Sequence, residues 1–241
     1  MNDESPPLSC GECGAVWLKK GTTNCWSSDP DKGPARPKYC PTGNEPELLD
    51  RTYALYREES EDAHLAHVAG RVEGMVYEKR DDGAVTARLT RVEEIVLFAK
   101  MMGYKKIGIA TCIGLLDETG RFAQVVEAQG LEALHVCCKS GSVDKTEVKL
   151  AEDDKVRPGT FEPACNPIAQ AELLNQAGTN MNVIIGLCLG HDMLFSKYSA
   201  APVTTLVVKD RVTGHNPVCV LYGQNFYFKR LQTVPIEVPE E

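Results

Sequence analysis

The sequence predicts an α/β protein with a mostly parallel sheet and helices on both faces. From residue 105 onward, short apolar runs alternate with amphipathic stretches, which is the pattern of strand–helix–strand units. The residues before this region, 47–103, have helical periodicity, and residues 1–46 are rich in Gly, Pro, Ser, Asp and Cys. We therefore expect a cysteine-rich segment (1–46), a helical region packed on the core (47–103) and an α/β domain (104–241).

The first segment has no periodicity that would bury an apolar face. Its second half, DPDKGPARPKYCPTGNEP, has the composition of a loop. Such a stretch cannot bury enough apolar surface to order itself, so we expect it to be a metal-bound segment.

Two helices are predicted within residues 47–103. Apolar residues recur at helical spacing from Leu65 to Val76 and again from Leu89 to Met102. The break between them falls at a DDG sequence, and Gly103 is a suitable C-terminal stop.

The α/β domain is predicted to contain strands at residues 105–111, 131–137, 181–188 and 204–210, with a further strand at 216–223. The predicted helices are 115–129, 166–178 and 191–199, and the second of these has Asn166 as N-cap and Pro167 as first residue. Neither a dinucleotide fingerprint nor a P-loop is present in the sequence. The function must therefore be sought in other residues.

Composition excludes several classes of function. The chain has 241 residues, is 43% hydrophobic and carries a net charge of −8. No apolar run reaches the roughly 18 residues of a membrane span, and the first residues lack the basic and apolar regions of a secretory signal. We expect a cytoplasmic protein with neither a membrane nor a nucleic acid as partner. In a reducing compartment, its 10 cysteines indicate metal ligation or catalysis rather than disulfides.

One group of candidate ligands lies in the first segment. Its spacing is C-x2-C-x11-C-x14-C, formed by Cys10, Cys13, Cys25 and Cys40. The two-residue spacing of the first pair lets both sulfurs turn toward one metal. Four sulfurs suit either structural zinc or a closed iron–sulfur cluster, and Pro41 after Cys40 is a weak ferredoxin-like feature.

A second group, Cys138, Cys165 and Cys188, follows predicted strands or begins a helix. Loops at the carboxyl ends of parallel strands meet at one edge of a sheet, so three thiolates would converge there and leave one metal position free. Cys138 is preferred to Cys137 because adjacent strand residues point to opposite faces. Cys112 also ends a strand and is the reserve candidate.

Some of these positions have a plainer interpretation. Each strand-end cysteine taken alone is compatible with a buried core residue, and Cys219 is expected to be one. Lys139 and Lys209 are predicted to hold an anionic substrate or to balance the charge of a cluster, although solvated lysines are an alternative. His191 is predicted to move protons, with Asp192 orienting it, although it could instead cap a helix.

The strings CNPIAQAELLN, GLCLGHDMLFSKYSAAPVTTLVVKDRVTGHNP and CGECG…YCP resemble an uncharacterised prokaryotic family, domain of unknown function 1847, which is described as predicted metal-binding. The resemblance covers nearly the whole chain. It implies that the cysteines bind metal in an anaerobic, cytoplasmic setting, and it implies no particular reaction.

The leading hypothesis is an iron–sulfur enzyme. Cys138, Cys165 and Cys188 would hold a [4Fe–4S] cluster whose fourth iron acts as a Lewis acid on a small anionic substrate, as in desulfurases and lyases. The N-terminal cysteines would hold a second cluster or zinc, as a structural site or an electron relay to a redox partner. The alternatives are a non-catalytic electron-transfer or zinc-binding module, and a zinc hydrolase.

Overall fold

A computed structural model of the chain describes residues 8–12, 38 and 40–238. The chain divides into two compact units, residues 1–70 and 71–241. The three-part division predicted above places its boundaries elsewhere and stays a prediction.

The described part of the first unit is helical. Cys10–Glu12 forms a single 3-10 turn, followed by α1 (Pro41–Asn44), α2 (Pro46–Leu55) and the start of α3 (Glu61–Val76). Proline stands at the first position of α1 and of α2, where its missing N–H has no partner in any helix. Cys40 directly precedes α1 and is buried.

The second unit continues from α3 into a short antiparallel hairpin of β1 (Tyr77–Lys79) and β2 (Val85–Ala87). The hairpin occupies the DDG break between the two predicted helices. Helix α4 (Arg91–Met101) follows, and its start is fixed by a capping box in which Thr90 and Glu93 satisfy each other's backbone N–H groups.

A four-stranded parallel sheet organises the second unit, as predicted. Its strands are β3 (Lys106–Thr111), β4 (Glu132–Cys137), β5 (Met181–Ile185) and β6 (Val203–Val207), in the spatial order β4-β3-β5-β6. The connecting helices are α5 (Leu116–Ala128), α6 (Pro167–Gln176) and α7 (His191–Tyr198).

Helices cover both faces of this sheet, and strand alternation assigns side chains to each face. One face carries a core completed by α4 and α5, which contains Ile95, Ala99, Ile107, Ile109, Phe122, Val126, Val183 and Ile185. The other carries a core completed by α6 and α7, which contains Ala110, Cys112, Cys138, Ala171, Leu174, Ile184 and Phe195. Two of the candidate cysteines therefore lie in the second core.

The long polar connection between β4 and α6 is held by buried charge. It contains two 3-10 turns, Lys145–Val148 and Glu152–Asp154. The Lys155 side chain is only 5% exposed, and its ammonium group bonds to Asp144 and Glu152 at 2.9 Å each. These ion pairs therefore give the connection a defined conformation, although it contains no strand or α-helix.

The predicted strand at residues 216–223 is wrong. This stretch forms α8 (Val218–Tyr222), and a last short helix, α9 (Arg230–Thr233), follows. Pro217 has helical dihedral angles and cannot donate to a sheet ladder, which favours a helix start over a strand. Cys219 is partly exposed on α8 and belongs to neither core, so the expectation of a core residue is also wrong. No helix in the described part of the chain has the length and apolar character that crossing a membrane requires.

Candidate functional site

Each strand of the parallel sheet is followed by one candidate residue at the carboxyl edge of the sheet. Cys112 follows β3, Cys138 follows β4, Cys188 lies three residues beyond β5, and Lys209 lies two residues beyond β6. Strands β3 and β5 are neighbours, while β4 and β6 lie on opposite sides of this pair. The strand order reverses there, and ligands of open α/β sheets bind in the crevice at such a reversal.

Cys112 and Cys138 are neighbours because β3 and β4 pair in register. Thr111 lies opposite Cys137, so each strand is followed by a cysteine at the same height. The Cys138 N–H donates to the Thr111 carbonyl at 2.8 Å. The two thiol groups interact, and the Ile113 N–H donates to Cys138 Sγ at 3.4 Å.

Cys165 joins this pair from the connection before α6. Its Sγ lies 3.8 Å from that of Cys138, within hydrogen-bonding distance for sulfur. The next residue holds it in place, because the Asn166 N–H donates to the Cys138 carbonyl at 2.8 Å and its Oδ1 accepts from the Ala169 N–H at 3.0 Å. The second contact is the N-cap predicted for α6.

We call Cys112, Cys138 and Cys165 the thiol cluster. The hydrogen bonds from Cys138 lower the pKa of both Cys112 and Cys165, and the positive charges of Lys209 and Lys139 lower them further, against the opposing effect of burial. The pKa of Cys138 is raised because both neighbours favour its keeping the proton. Cys112 and Cys165 are thus favoured as the ionised members of the cluster, and Cys138 as the protonated one.

Cations accompany the thiols that face the crevice. The pairs are Cys112 with Lys209, Cys165 with Lys139, and Cys188 with Arg211. In the last pair, the Arg211 guanidinium donates to Cys188 Sγ at 3.1 Å. At Cys112 and Cys165, the neighbouring positive charge favours the ionised form, which is the nucleophile and the metal ligand.

The crevice is a cavity of about 590 Å³. Its lining includes Cys112, Cys165, Cys188, Lys139, Lys145, Lys209 and Arg211, with apolar side chains from the connection before α6. The lining also contains one carboxylate, Glu162, and this group is ion-paired with Lys145. Excess positive charge in a partly enclosed space favours a small anionic ligand.

His191 also lines this cavity. It is the first residue of α7, and its Nδ1 atom is buried without a hydrogen-bond partner among the described residues. Its charge is one of the influences that lower the pKa of Cys165. The carboxylate of Asp192 accepts from the Met193 N–H at 2.8 Å. Asp192 therefore bonds to the backbone of α7, and the Nδ1 atom of His191 is available to a ligand or a proton.

The predicted second group is only partly brought together. Cys138 and Cys165 are adjacent, whereas Cys188 lines the same cavity and pairs with Arg211. The third member of the cluster is Cys112, the reserve candidate, and not Cys188, the residue preferred from the sequence. Strand register decides this arrangement, and the only signal in the sequence was that Cys112 directly follows a predicted strand.

The N-terminal group is visible only in part. Cys10 is exposed and Cys40 is buried, while Cys13 and Cys25 lie outside the described residues. Within the described part of the chain, no three His, Cys, Asp or Glu side chains are arranged as they are around a metal ion. In the thiol cluster, Cys165 Sγ is instead within hydrogen-bonding distance of Cys138 Sγ.

Comparison with known proteins adds the family. Residues 40–206 match the family described as protein of unknown function DUF1847. The chain belongs to this family. An uncharacterised protein of Methanocaldococcus jannaschii is similar to it, with 42% identity over 196 residues, or 80% of this chain and 94% of the relative. The part matched to the DUF1847 family contains the thiol cluster, Cys188 and His191, and it ends before Lys209.

Proposed function

We propose that the chain is a metal-dependent cytoplasmic enzyme that acts on a small anionic substrate, with an iron–sulfur cluster held by thiolates at the carboxyl edge of its sheet. The observation that carries this proposal is the thiol cluster, three sulfurs gathered from three separate chain segments at a cationic cavity. A core that needed only apolar volume would not require three adjacent thiols.

The donors have the chemistry that such a group requires. Thiolates are the ligands of iron–sulfur clusters and of structural zinc, and two members of the thiol cluster have a lowered pKa. Cys138 must lose its proton for metal to bind, which would couple binding to proton release. Cys188 is a fourth thiol on the same cavity.

The cavity supports a reaction on an anion. Lys139, Lys209 and Arg211 can bind and orient a negatively charged substrate beside the sulfurs. The free Nδ1 of His191 can accept or deliver a proton there. A cluster bound through three cysteines supplies a Lewis-acidic iron with an open position.

The first test is metal content. Protein purified without oxygen is analysed for iron, zinc and acid-labile sulfide, together with its visible absorption spectrum. About four irons with matching sulfide per occupied cubane site would support the proposal. Zinc without sulfide in a colourless sample would replace it with a zinc-binding module.

Serine variants then assign the ligands. We expect Cys112→Ser, Cys138→Ser and Cys165→Ser each to lose most of the metal bound in the second unit, because a serine hydroxyl is a poor ligand for soft metals. Cys219→Ser is the matched control, since Cys219 lies on α8 and not in the cavity lining. It should keep the full metal content.

Cys188→Ser distinguishes a metal site in which Cys112 is the third ligand from one in which Cys188 is. Metal retained in Cys188→Ser but lost in Cys112→Ser would assign the site to the thiol cluster. The reverse result would support the set predicted from the sequence, Cys138, Cys165 and Cys188. Full metal content in all four variants would refute the proposal.

A further inference from the structure

Two members of the thiol cluster form a pair suited to a reaction that needs no metal. Cys138 and Cys165 have their sulfurs 3.8 Å apart. The hydrogen bond from the Asn166 N–H to the Cys138 carbonyl holds their backbones side by side. A disulfide between them requires the sulfurs to approach to about 2.05 Å, a small movement for two side chains already in contact.

Cys165 and Cys138 differ in their exposure to the cavity. Cys165 is partly exposed and lines the cavity, whereas Cys138 is 2% exposed and is not a lining residue. An entering molecule reaches Cys165 first, and Cys138 can reach only what is already attached to Cys165. The ammonium of Lys139 lines the same cavity as Cys165, where it favours an anionic partner.

We infer that the Cys138–Cys165 pair is a redox-active dithiol that reduces small anionic disulfides in the 590 Å³ cavity. The Cys165 thiolate attacks one sulfur of the substrate disulfide, which forms a mixed disulfide and releases the first thiolate. Cys138 gives its proton to that thiolate and attacks Cys165 Sγ. The Cys138–Cys165 disulfide forms and the second thiolate leaves, so two electrons pass from the protein dithiol to the substrate disulfide.

Cys112 forms no covalent bond during this exchange reaction. It lines the cavity but is only 8% exposed, and Lys209 is its cation. This inference goes beyond the proposed function and does not depend on it, because it concerns the protein when no metal occupies the cluster.

The test uses the full-length protein and oxidised glutathione as the probe. Metal content is measured first, and the reaction is run with and without prior chelation. Peptide mapping by mass spectrometry should find a Cys138–Cys165 disulfide in the wild type. Cys138→Ser should stop at glutathione attached to Cys165, because the resolving thiol is missing while the serine hydroxyl can still donate a hydrogen bond.

Two controls make the result specific. Cys165→Ser should lose formation of the cross-link entirely, and Cys219→Ser should form it at the wild-type rate.

Wild-type protein that, after chelation, carries glutathione on Cys165 without ever forming the cross-link would overturn the inference. A Cys112–Cys138 disulfide as the first product would overturn it as well. Neither outcome requires a variant to fold. Absence of metal in the purified protein would remove the proposed metal function and leave this inference standing, so the two failures are distinguishable.

Discussion

At the scale of single residues, the ionisation of Cys165 is the property that both proposals use. Its hydrogen bond with Cys138 and the nearby Lys139 ammonium lower its pKa. The thiolate is therefore present at neutral pH and is lost only as the pH falls through the lowered value. An ordinary thiol, with a pKa of about 8.5, behaves differently, since it ionises only in alkaline solution.

This property predicts the pH profile of alkylation. The rate of iodoacetamide addition at Cys165, followed by mass spectrometry, should reach half its maximum well below pH 8.5. Lys139→Met should move this midpoint upward, because it removes a stabilising positive charge. Lys105→Met is the control, since Lys105 is exposed and precedes β3 at the opposite end of the sheet. An unchanged midpoint in Lys139→Met would show that the lysine does not act on Cys165.

The sequence predicted the kind of residue at this site better than the identity of each one. Cysteines at strand ends could be recognised, and Lys139, Lys209 and His191 all line the cavity as candidates. The choice between Cys112 and Cys188 could not be made, because it depends on how β3 pairs with β4. Arg211 was missed because nothing in its local sequence shows that it reaches Cys188.

At the scale of elements, strands β3 to β6 and helices α5 to α7 were predictable because each has a clear period and clear ends. The hairpin at residues 77–87 and helix α8 were missed. Both are short, and their three to five residues are too few for a period to show. The connection before α6 gave no sequence signal of order, since its stability comes from contacts between charged groups distant in the chain.

This connection is predicted to weaken in acid. The hydrogen bonds of Asp144 with backbone N–H groups and with Lys155, and those of Glu152 with Lys155, lower the pKa of both carboxyl groups. Groups of this kind add stability above their unfolded pKa of about 4 and lose it as the pH falls through the folded value. The pKa of Lys155 is raised, so its charge persists throughout this range.

Lys155→Met should therefore lower the urea midpoint of unfolding at pH 7, because it leaves two carboxylates without their shared cation. The difference from wild type should shrink as the pH approaches 3. Lys149→Met is the control, since Lys149 is exposed in the same connection. A difference between wild type and Lys155→Met that is equal at pH 7 and pH 3 would contradict this account.

At the scale of the whole molecule, the two cysteine groups fall in different units. Cys10, Cys13, Cys25 and Cys40 belong to residues 1–70, whereas the thiol cluster and Cys188 belong to residues 71–241. Each unit has enough thiols for a metal site of its own. We therefore expect two metal centres that can be emptied independently.

A pair of matched double variants tests this independence. Cys10→Ser/Cys13→Ser should lose only the metal of the first unit, and Cys138→Ser/Cys165→Ser should lose only that of the second. Metal and sulfide per chain, measured after anaerobic purification, should therefore fall in each variant by the share of one centre. The losses should add in the quadruple variant, because separate sites contribute independently. If either double variant removes all of the metal, the two groups do not bind metal independently and this prediction is wrong.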